Sequence, residues 1–166
     1  MSSRTLPRAA AARAAVPGPG EGKRGEAGYL AYLLRQAAGG VRLRLERGLA
    51  GFDVTAAQFV VLTMLEAYPD ASGADIARLT LLTPQTVHGI TNALERAALI
   101  ARLPHPTHRR VQRLALTAAG RALLARCKKA AQALDATLAA GLTAREEATV
   151  RRWLVNVAVA DESGKD

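Results

Sequence analysis

The sequence predicts a mainly α chain with a small β-wing: a winged helix-turn-helix flanked by N- and C-terminal helices. Three observations carry that prediction. Between Ser72 and Thr117, two short helix signals joined by a tight turn are followed by two short strand signals around a proline-bracketed turn. Longer amphipathic stretches lie on both sides of this module. Positive charge is concentrated over the strands and beyond them: from Arg96 to Leu134 there are nine Lys or Arg and no Asp or Glu.

Residues 1–25 are rich in Ala, Arg, Pro and Gly, with five basic and two acidic residues before Tyr29. They hold too few large apolar groups to order themselves and read as a flexible basic tail that adds non-specific contacts to nucleic acid. The hydrophobic core of a secretory signal is missing. Residues 26–50 predict an N-terminal helix with Leu30, Leu33, Leu34, Ala37, Val41 and Leu45 on one side, interrupted at Gly39-Gly40. Tandem glycine costs an isolated helix about 1 kcal/mol per residue, so this helix calls for a partner. The glycines mark either a kink or the close approach of a neighbouring backbone.

Residues 51–117 form the module. Thr55 and Gln58 make a capping box for a helix whose Phe59, Leu62 and Leu65 face inward, and Tyr68-Pro69 ends it. Ser72 and Asp75 cap the next helix, with Ile76 and Leu79 as its buried side and Leu81 and Leu82 carrying the turn into the interior. Thr83 caps a further helix, and Pro84 has no amide hydrogen to lose at its first position. There Val87, Ile90, Leu94 and Ala97 or Ala98 fall on one apolar stripe. The opposite face presents Gln85, Thr86, His88, Gly89, Asn92 and Arg96, groups able to donate to and accept from base edges. An ordinary solvated face has the same composition, and the basic hairpin C-terminal to this helix favours the base-reading alternative. Residues 99–103 and 111–116 are strand candidates, and Pro104 and Pro106 bracket the turn between them. Its tip holds His105, His108, Arg109 and Arg110, with Arg113 on the second strand, a basic set suited to phosphates or a narrow minor groove.

Residues 118–160 supply two more helices. Thr117 caps the first, with Leu123, Leu124, Cys127, Ala131, Leu134 and Leu138 as its apolar side, and Gly141 stops it. Thr143 and Glu146 cap the second, whose Val150, Trp153, Leu154 and Val157 line a buried face. Residues 161–166 are a polar, frayed tail.

At 166 residues and 49% hydrophobic, the chain can bury one core with length left over. Its formal net charge is +9, and the local excess over the wing is the footprint of a nucleic-acid binder. No apolar run is long enough to cross a bilayer, so a membrane partner is not expected. One cysteine rules out an internal disulfide framework and a Cys-based zinc cluster, and a reducing cytoplasm is the default location. The three histidines have no ligand spacing, so neither metal nor cofactor is expected. No Ser/His/Asp set, phosphate loop or carboxylate pair sits at catalytic spacing, which argues against an enzyme.

The end helices carry more apolar stripe than a small winged module can cover. A second copy is the simplest cover, which makes them dimerisation helices. A two-fold homodimer sets two reading helices on one side, matched to a pseudo-palindrome in double-stranded DNA with half-sites about 10–10.5 bp, or a multiple, apart. The alternative is a winged-helix module that binds nucleoid DNA generally, or a protein partner, without a ligand.

The segments TAAQFVVLTMLE, SGADIARL, TPQTVHGITNALE and RLPHPTHRRVQRLALTAAGRALL resemble the multiple antibiotic resistance regulator (MarR) family of repressors. The last is the most specific, combining an Arg-x-Pro-x-Pro turn, a paired basic tip and a closing LT-x-x-G-R. The likeness extends over about Glu26 to Ala160. It implies a homodimer built from the terminal helices, and repression released by a small aromatic acid or phenol. By position it places Thr83, Pro84, Gln85, Thr86, His88 and Gly89 on the early recognition helix and Arg109 and Arg110 on the wing. The chain departs from the family pattern at three places. His108 stands where an Asp commonly braces the wing arginine, and His88-Gly89 stands where a Thr-Arg pair is frequent. Ala98 replaces the glycine that usually closes the helix, which suggests a different exit into the wing. The reactive cysteine of the peroxide-sensing branch, near the first helix, is missing. Cys127 falls within an apolar stripe and reads as a core residue. Tyr29, Tyr32 and Arg35 offer rings and a cation at one-turn spacing, able either to cradle an aromatic carboxylate or to pack a dimer seam.

Overall fold

The structure, a computed structural model, describes residues 16–104 and 112–159. It divides into two compact units between Val41 and Arg42. In the first, the stretch 16–25, expected to be flexible tail, is a folded turn with a short 3-10 helix at Gly22–Arg24. It is held by local hydrogen bonds rather than an apolar core: Arg24 Nη1 donates to the Pro17 carbonyl at 2.7 Å and the Gly18 N–H to Glu21 Oε2 at 2.7 Å. Glycine makes it possible, because a Cβ on Gly25 would stand 2.3 Å from the Gly20 carbonyl oxygen.

The long helix α1 (Leu30–Leu49) begins after this turn and runs unbroken through Gly39-Gly40. The expected interruption is absent, because interior glycine lowers helix propensity without forbidding helical angles. Leu30 is exposed, so the predicted stripe is uncovered at its start.

In the second unit Leu49, at the end of α1, is fully buried. Helix α2 (Ala56–Ala67) opens on the predicted capping box, with the Gln58 N–H donating to Thr55 Oγ1 at 3.2 Å and the Thr55 N–H to Gln58 Oε1 at 2.9 Å. Phe59, Leu62 and Leu65 are buried as predicted, and Val61 joins them. Helix α3 (Gly73–Thr80) is capped by Ser72 and Asp75. Its buried pair is Ile76 and Ala77, and Leu79 is 39% exposed, contrary to the sequence reading. A helix of two turns, packed against α2 and α4 (Pro84–Arg96), has one side fully covered, and that side holds Ile76 and Ala77 but not Leu79. The turn after α3 also differs from expectation. Leu81 adopts a left-handed conformation (φ 53°) and is 89% exposed, while Leu82 alone packs against the core. The Leu82 N–H reaches the Ala77 carbonyl at 3.2 Å, a Schellman closure that swings the intervening leucine outward.

In α4 the buried residues are Val87, Thr91 and Leu94, with Ile90 partly covered. Ala97 and Ala98 are exposed rather than part of the stripe. Ala98 takes the left-handed angle (φ 55°) that a closing glycine adopts readily, so the helix ends in a left-handed cap despite the alanine, contrary to the different exit expected. The Ala98 N–H donates to the Glu95 carbonyl and the Leu99 N–H to the Leu94 carbonyl, each at 2.9 Å, which offsets the strain on the alanine.

Strands β1 (Ile100–Pro104) and β2 (Gln112–Leu116) pair antiparallel with Ile100 opposite Leu116 and Pro104 opposite Gln112. Ile100, Leu114 and Leu116 are buried. The residues leading into α3 add a partial third strand, with a bridge between Ser72 and Arg113 and the Leu114 N–H on the Ala71 carbonyl at 3.0 Å. The predicted wing-tip residues His105, His108, Arg109 and Arg110 lie outside the described residues.

Helix α5 (Ala118–Ala139) is capped by Thr117 and buries Leu124 and Cys127. Gly141, at φ 88°, comes just after its end. Helix α6 (Ala144–Val159) has no buried residue. Val150, Trp153, Leu154 and Val157, expected to line a buried face, are all exposed, Trp153 to 40%, because the contact of α6 with the end of α5 around Asp135, Leu138 and Ala139 leaves that face open. No described helix is long and apolar enough to cross a membrane.

Candidate nucleic-acid interface

The polar face of α4 begins at its cap. Thr83 Oγ1 accepts the Thr86 N–H at 3.1 Å and lies 2.8 Å from Thr86 Oγ1. With Pro84 at the first helical position, this sets the helix start without drawing on any distant group. Thr83, Pro84, Gln85, Thr86, His88, Gly89 and Arg96 are exposed, and Asn92 is half-buried. A Cβ on Gly89 would meet nothing within 4 Å, so the backbone there is open. Gly89, Asn92, Glu95 and Arg96 line a shallow groove of about 390 Å³.

This face is tied to the wing by Arg102 of β1. Its Nε donates to Glu95 Oε2 at 2.8 Å, and its Nη2 donates to Asn92 Oδ1 at 2.7 Å and to Thr91 Oγ1 at 3.3 Å. Asn92 Nδ2 in turn lies 3.0 Å from His88 Nε2. The sequence reading missed Arg102, Glu95 and Thr91. One signal was available: Glu95 is the single acidic residue of α4, and Arg102 follows it by seven residues, across the turn into the wing.

Arg113 is drawn away from the α4 set. Its Nη1 donates to Asp70 Oδ1 at 2.9 Å, and its Nε is buried with no partner among the described residues. The structure thus gathers Thr83, Pro84, Gln85, Thr86, His88, Gly89, Asn92 and Arg96 on one helix and fastens Arg113 to the base of the wing.

On α3 the Asp75 carboxyl is held below the ordinary aspartate range, first by the Ser72 hydroxyl, then by the Ser72 N–H and by Arg78. On α5 burial pushes the Cys127 thiol up, with Arg126 opposing. Among the described residues no three His, Cys, Asp or Glu side chains gather as metal ligands.

In the first unit Tyr29 is 80% exposed and stands just before α1, with its carbonyl accepting the Leu33 N–H at 3.0 Å. The Lys23 ammonium lies 5.6 Å from the Tyr29 ring centre, and the Arg35 guanidinium 5.8 Å from that of Tyr32. Rings and cations are therefore close together, and each ring faces a cation of its own unit.

A sequence model described as the MarR family matches residues 52–111. The HTH-type transcriptional repressor Rv2887 of Mycobacterium tuberculosis is 34% identical over 125 residues, 75% of this chain and 90% of the repressor. Its structure in complex with salicylic acid aligns at TM-score 0.63 and 33% identity, over 78% of this chain and 96% of that one. The transcriptional repressor CouR, bound to a 23-mer DNA duplex, aligns at TM-score 0.72 and 31% identity over 78% and 92% of the two chains. BpsR of Bordetella bronchiseptica, whose DNA binding is regulated by 6-hydroxynicotinic acid, aligns at TM-score 0.71 and 28% identity over 78% and 98%. With its helix-turn-helix, two-stranded wing and flanking helices, and with a repressor matched over nearly its whole length, the chain belongs to the MarR family of winged-helix transcriptional regulators.

Proposed function

We propose that the chain is a homodimeric repressor that reads a pseudo-palindromic DNA operator and is released by a small aromatic acid or phenol. The observation that carries this reading is α4 itself: a capped helix start with an exposed row of Gln85, Thr86, His88, Gly89 and Arg96, braced by an arginine of the wing. Such a helix fits the major groove, its early residues against base edges and Arg96 against phosphate. Residues 51–117 are then the reading module, with His108, Arg109 and Arg110 meeting the backbone and Arg113 acting as a brace. Residues 1–25 add non-specific contacts.

Residues 26–50 and 118–160 supply the dimer interface, which gives the uncovered apolar side chains of α6 something to pack against. Tyr29, Tyr32 and Arg35 offer a hydroxylated aromatic acid a cation and two rings, and the compounds named for Rv2887 and BpsR are both of that class. A repressor of this kind works in the cytoplasm, where its duplex is.

Selection of bound fragments from a random duplex pool tests the reading. A two-fold symmetric site should be enriched, with affinity on the order of 10³ or more above random DNA. Salicylate or 6-hydroxynicotinate should release it. Equal affinity for all duplexes would favour a general nucleoid binder instead.

A further inference from the structure

His88 sits mid-face on α4, and its ring nitrogens have different surroundings. Asn92 lies one turn on, and its Oδ1 already accepts from Arg102 Nη2 at 2.7 Å. The Asn92 amide is therefore turned so that Nδ2 faces His88 Nε2, 3.0 Å away, and Nδ2 can only donate. A nitrogen that accepts carries no hydrogen, so the imidazole proton sits on Nδ1. Arg102 reaches the same residue by a second route. Its Nη2 lies 3.3 Å from Thr91 Oγ1, which donates to the His88 carbonyl at 3.1 Å. Glu95 neutralises Arg102 at 2.8 Å, so this arginine is occupied within the fold rather than free for phosphate.

We infer that Arg102 and Asn92 are positioning residues that lock His88 as an Nδ1–H donor, so that His88 selects guanine against cytosine at one position in the major groove. The inference rests on α4 entering that groove. An unlocked histidine presents either a donor or an acceptor and discriminates weakly. A locked Nδ1–H finds acceptors at N7 and O6 of guanine and meets a donor, the N4 amino group, on cytosine. Gly89, with open space at its Cβ position, leaves the ring room to approach the base edge.

Two measurements on the full-length chain test this. Without DNA, long-range proton–nitrogen correlation spectra at about pH 8 report the tautomer, and the His88 signals are identified by their loss in His88→Gln. The wild-type chain should show Nδ1–H, and Asn92→Leu should return His88 to the Nε2–H form that free histidine favours in water. Nε2–H in the wild-type chain overturns the inference. With DNA, fragments are selected from a random duplex pool by the wild type, His88→Ala, Asn92→Leu and Arg102→Met. The wild type should prefer guanine to cytosine at one position per half-site by about tenfold, falling to within about twofold in each variant, with the other positions unchanged. The salt dependence of Arg102→Met should match the wild type, because no phosphate contact has been lost. A loss of about one unit of slope, or a guanine preference that survives His88→Ala or Asn92→Leu, overturns the assignment and leaves the repressor reading intact. A wild-type chain that enriches no site overturns both. Asn92→Leu keeps the test open should Arg102→Met fail to fold.

Discussion

The Leu99 carbonyl oxygen lies 2.0 Å from where a Cβ on Gly120 would stand. The same carbonyl accepts the Thr117 N–H at 3.0 Å, while Thr117 Oγ1 donates to the Ala98 carbonyl at 2.7 Å and accepts the Gly120 N–H at 3.0 Å. The end of α4 and the start of α5 are thus stitched together by one threonine, at a spacing only glycine tolerates. Gly120→Ala should cost about 2 kcal/mol and lower Tm by about 4–8 °C, because backbone rather than a flexible side chain must move. Gly89→Ala, in an open helical position, should instead raise stability by about 0.5–1 kcal/mol. Thermal denaturation of the two variants checks both signs.

The two arginines that frame the site should separate by assay. Arg96→Ala should weaken binding to all duplexes and reduce the salt dependence by about one unit of slope. Arg113→Ala removes the ion pair with Asp70 beneath the wing, and should cost on the order of 1 kcal/mol of stability with little change in slope.

The Asp75 carboxyl is lowered by Ser72 and Arg78, so it binds its proton more weakly in the folded chain than in the unfolded one. Its contribution is fully present above the ordinary aspartate range and is lost as pH falls through the lowered folded value. Stability of the wild-type chain should therefore drop below about pH 4, and Asp75→Asn should be less stable at neutral pH and flatter through the acid limb. Urea denaturation at a series of pH values reads the difference.

Cys127 is fully buried against the core, and its thiol is shifted upward by desolvation. At neutral pH it should react with iodoacetamide on the order of a hundredfold or more slower than a free thiol, at a rate set by opening of the fold. Peroxide should leave duplex binding unchanged. Rapid labelling of the native chain would contradict the buried assignment.

Trp153 is the only tryptophan in the chain and lies on the uncovered apolar face of α6. If that face joins a second copy, its emission should shift to the red on dilution. Leu154→Glu should give monomers that keep the winged unit folded, and sedimentation with circular dichroism distinguishes this from unfolding. A monomeric wild-type chain would remove the dimer from the proposed function.

Helix starts were legible in the sequence because a cap is settled by residues three positions apart. Thr55 with Gln58, Ser72 with Asp75, Thr83 with Thr86 and Thr143 with Glu146 all bond as their spacing implies. The candidate face of α4 was legible for the same reason, since helical periodicity sorts Val87 and Leu94 from Gln85, Thr86 and His88. Leu79 and Leu81 were misread because hydrophobicity alone does not say which turns of a short helix are covered, or that a left-handed residue will rotate its side chain outward. The wing tip, where His108, Arg109 and Arg110 were placed, lies outside the described residues.

By itself, then, the sequence determined the order and type of the elements, the caps that start them, the basic charge around the wing and the family. Tertiary structure alone decided that Arg102 grips Asn92 and Glu95, that Arg113 turns to Asp70, that Ala98 adopts the left-handed exit and that α6 keeps its apolar face uncovered. The physical reason is range. Caps and periodicity are interactions within one turn of helix, written in adjacent letters, whereas an arginine's choice among several carboxylates and amides depends on which of them the folded backbone brings within about 3 Å.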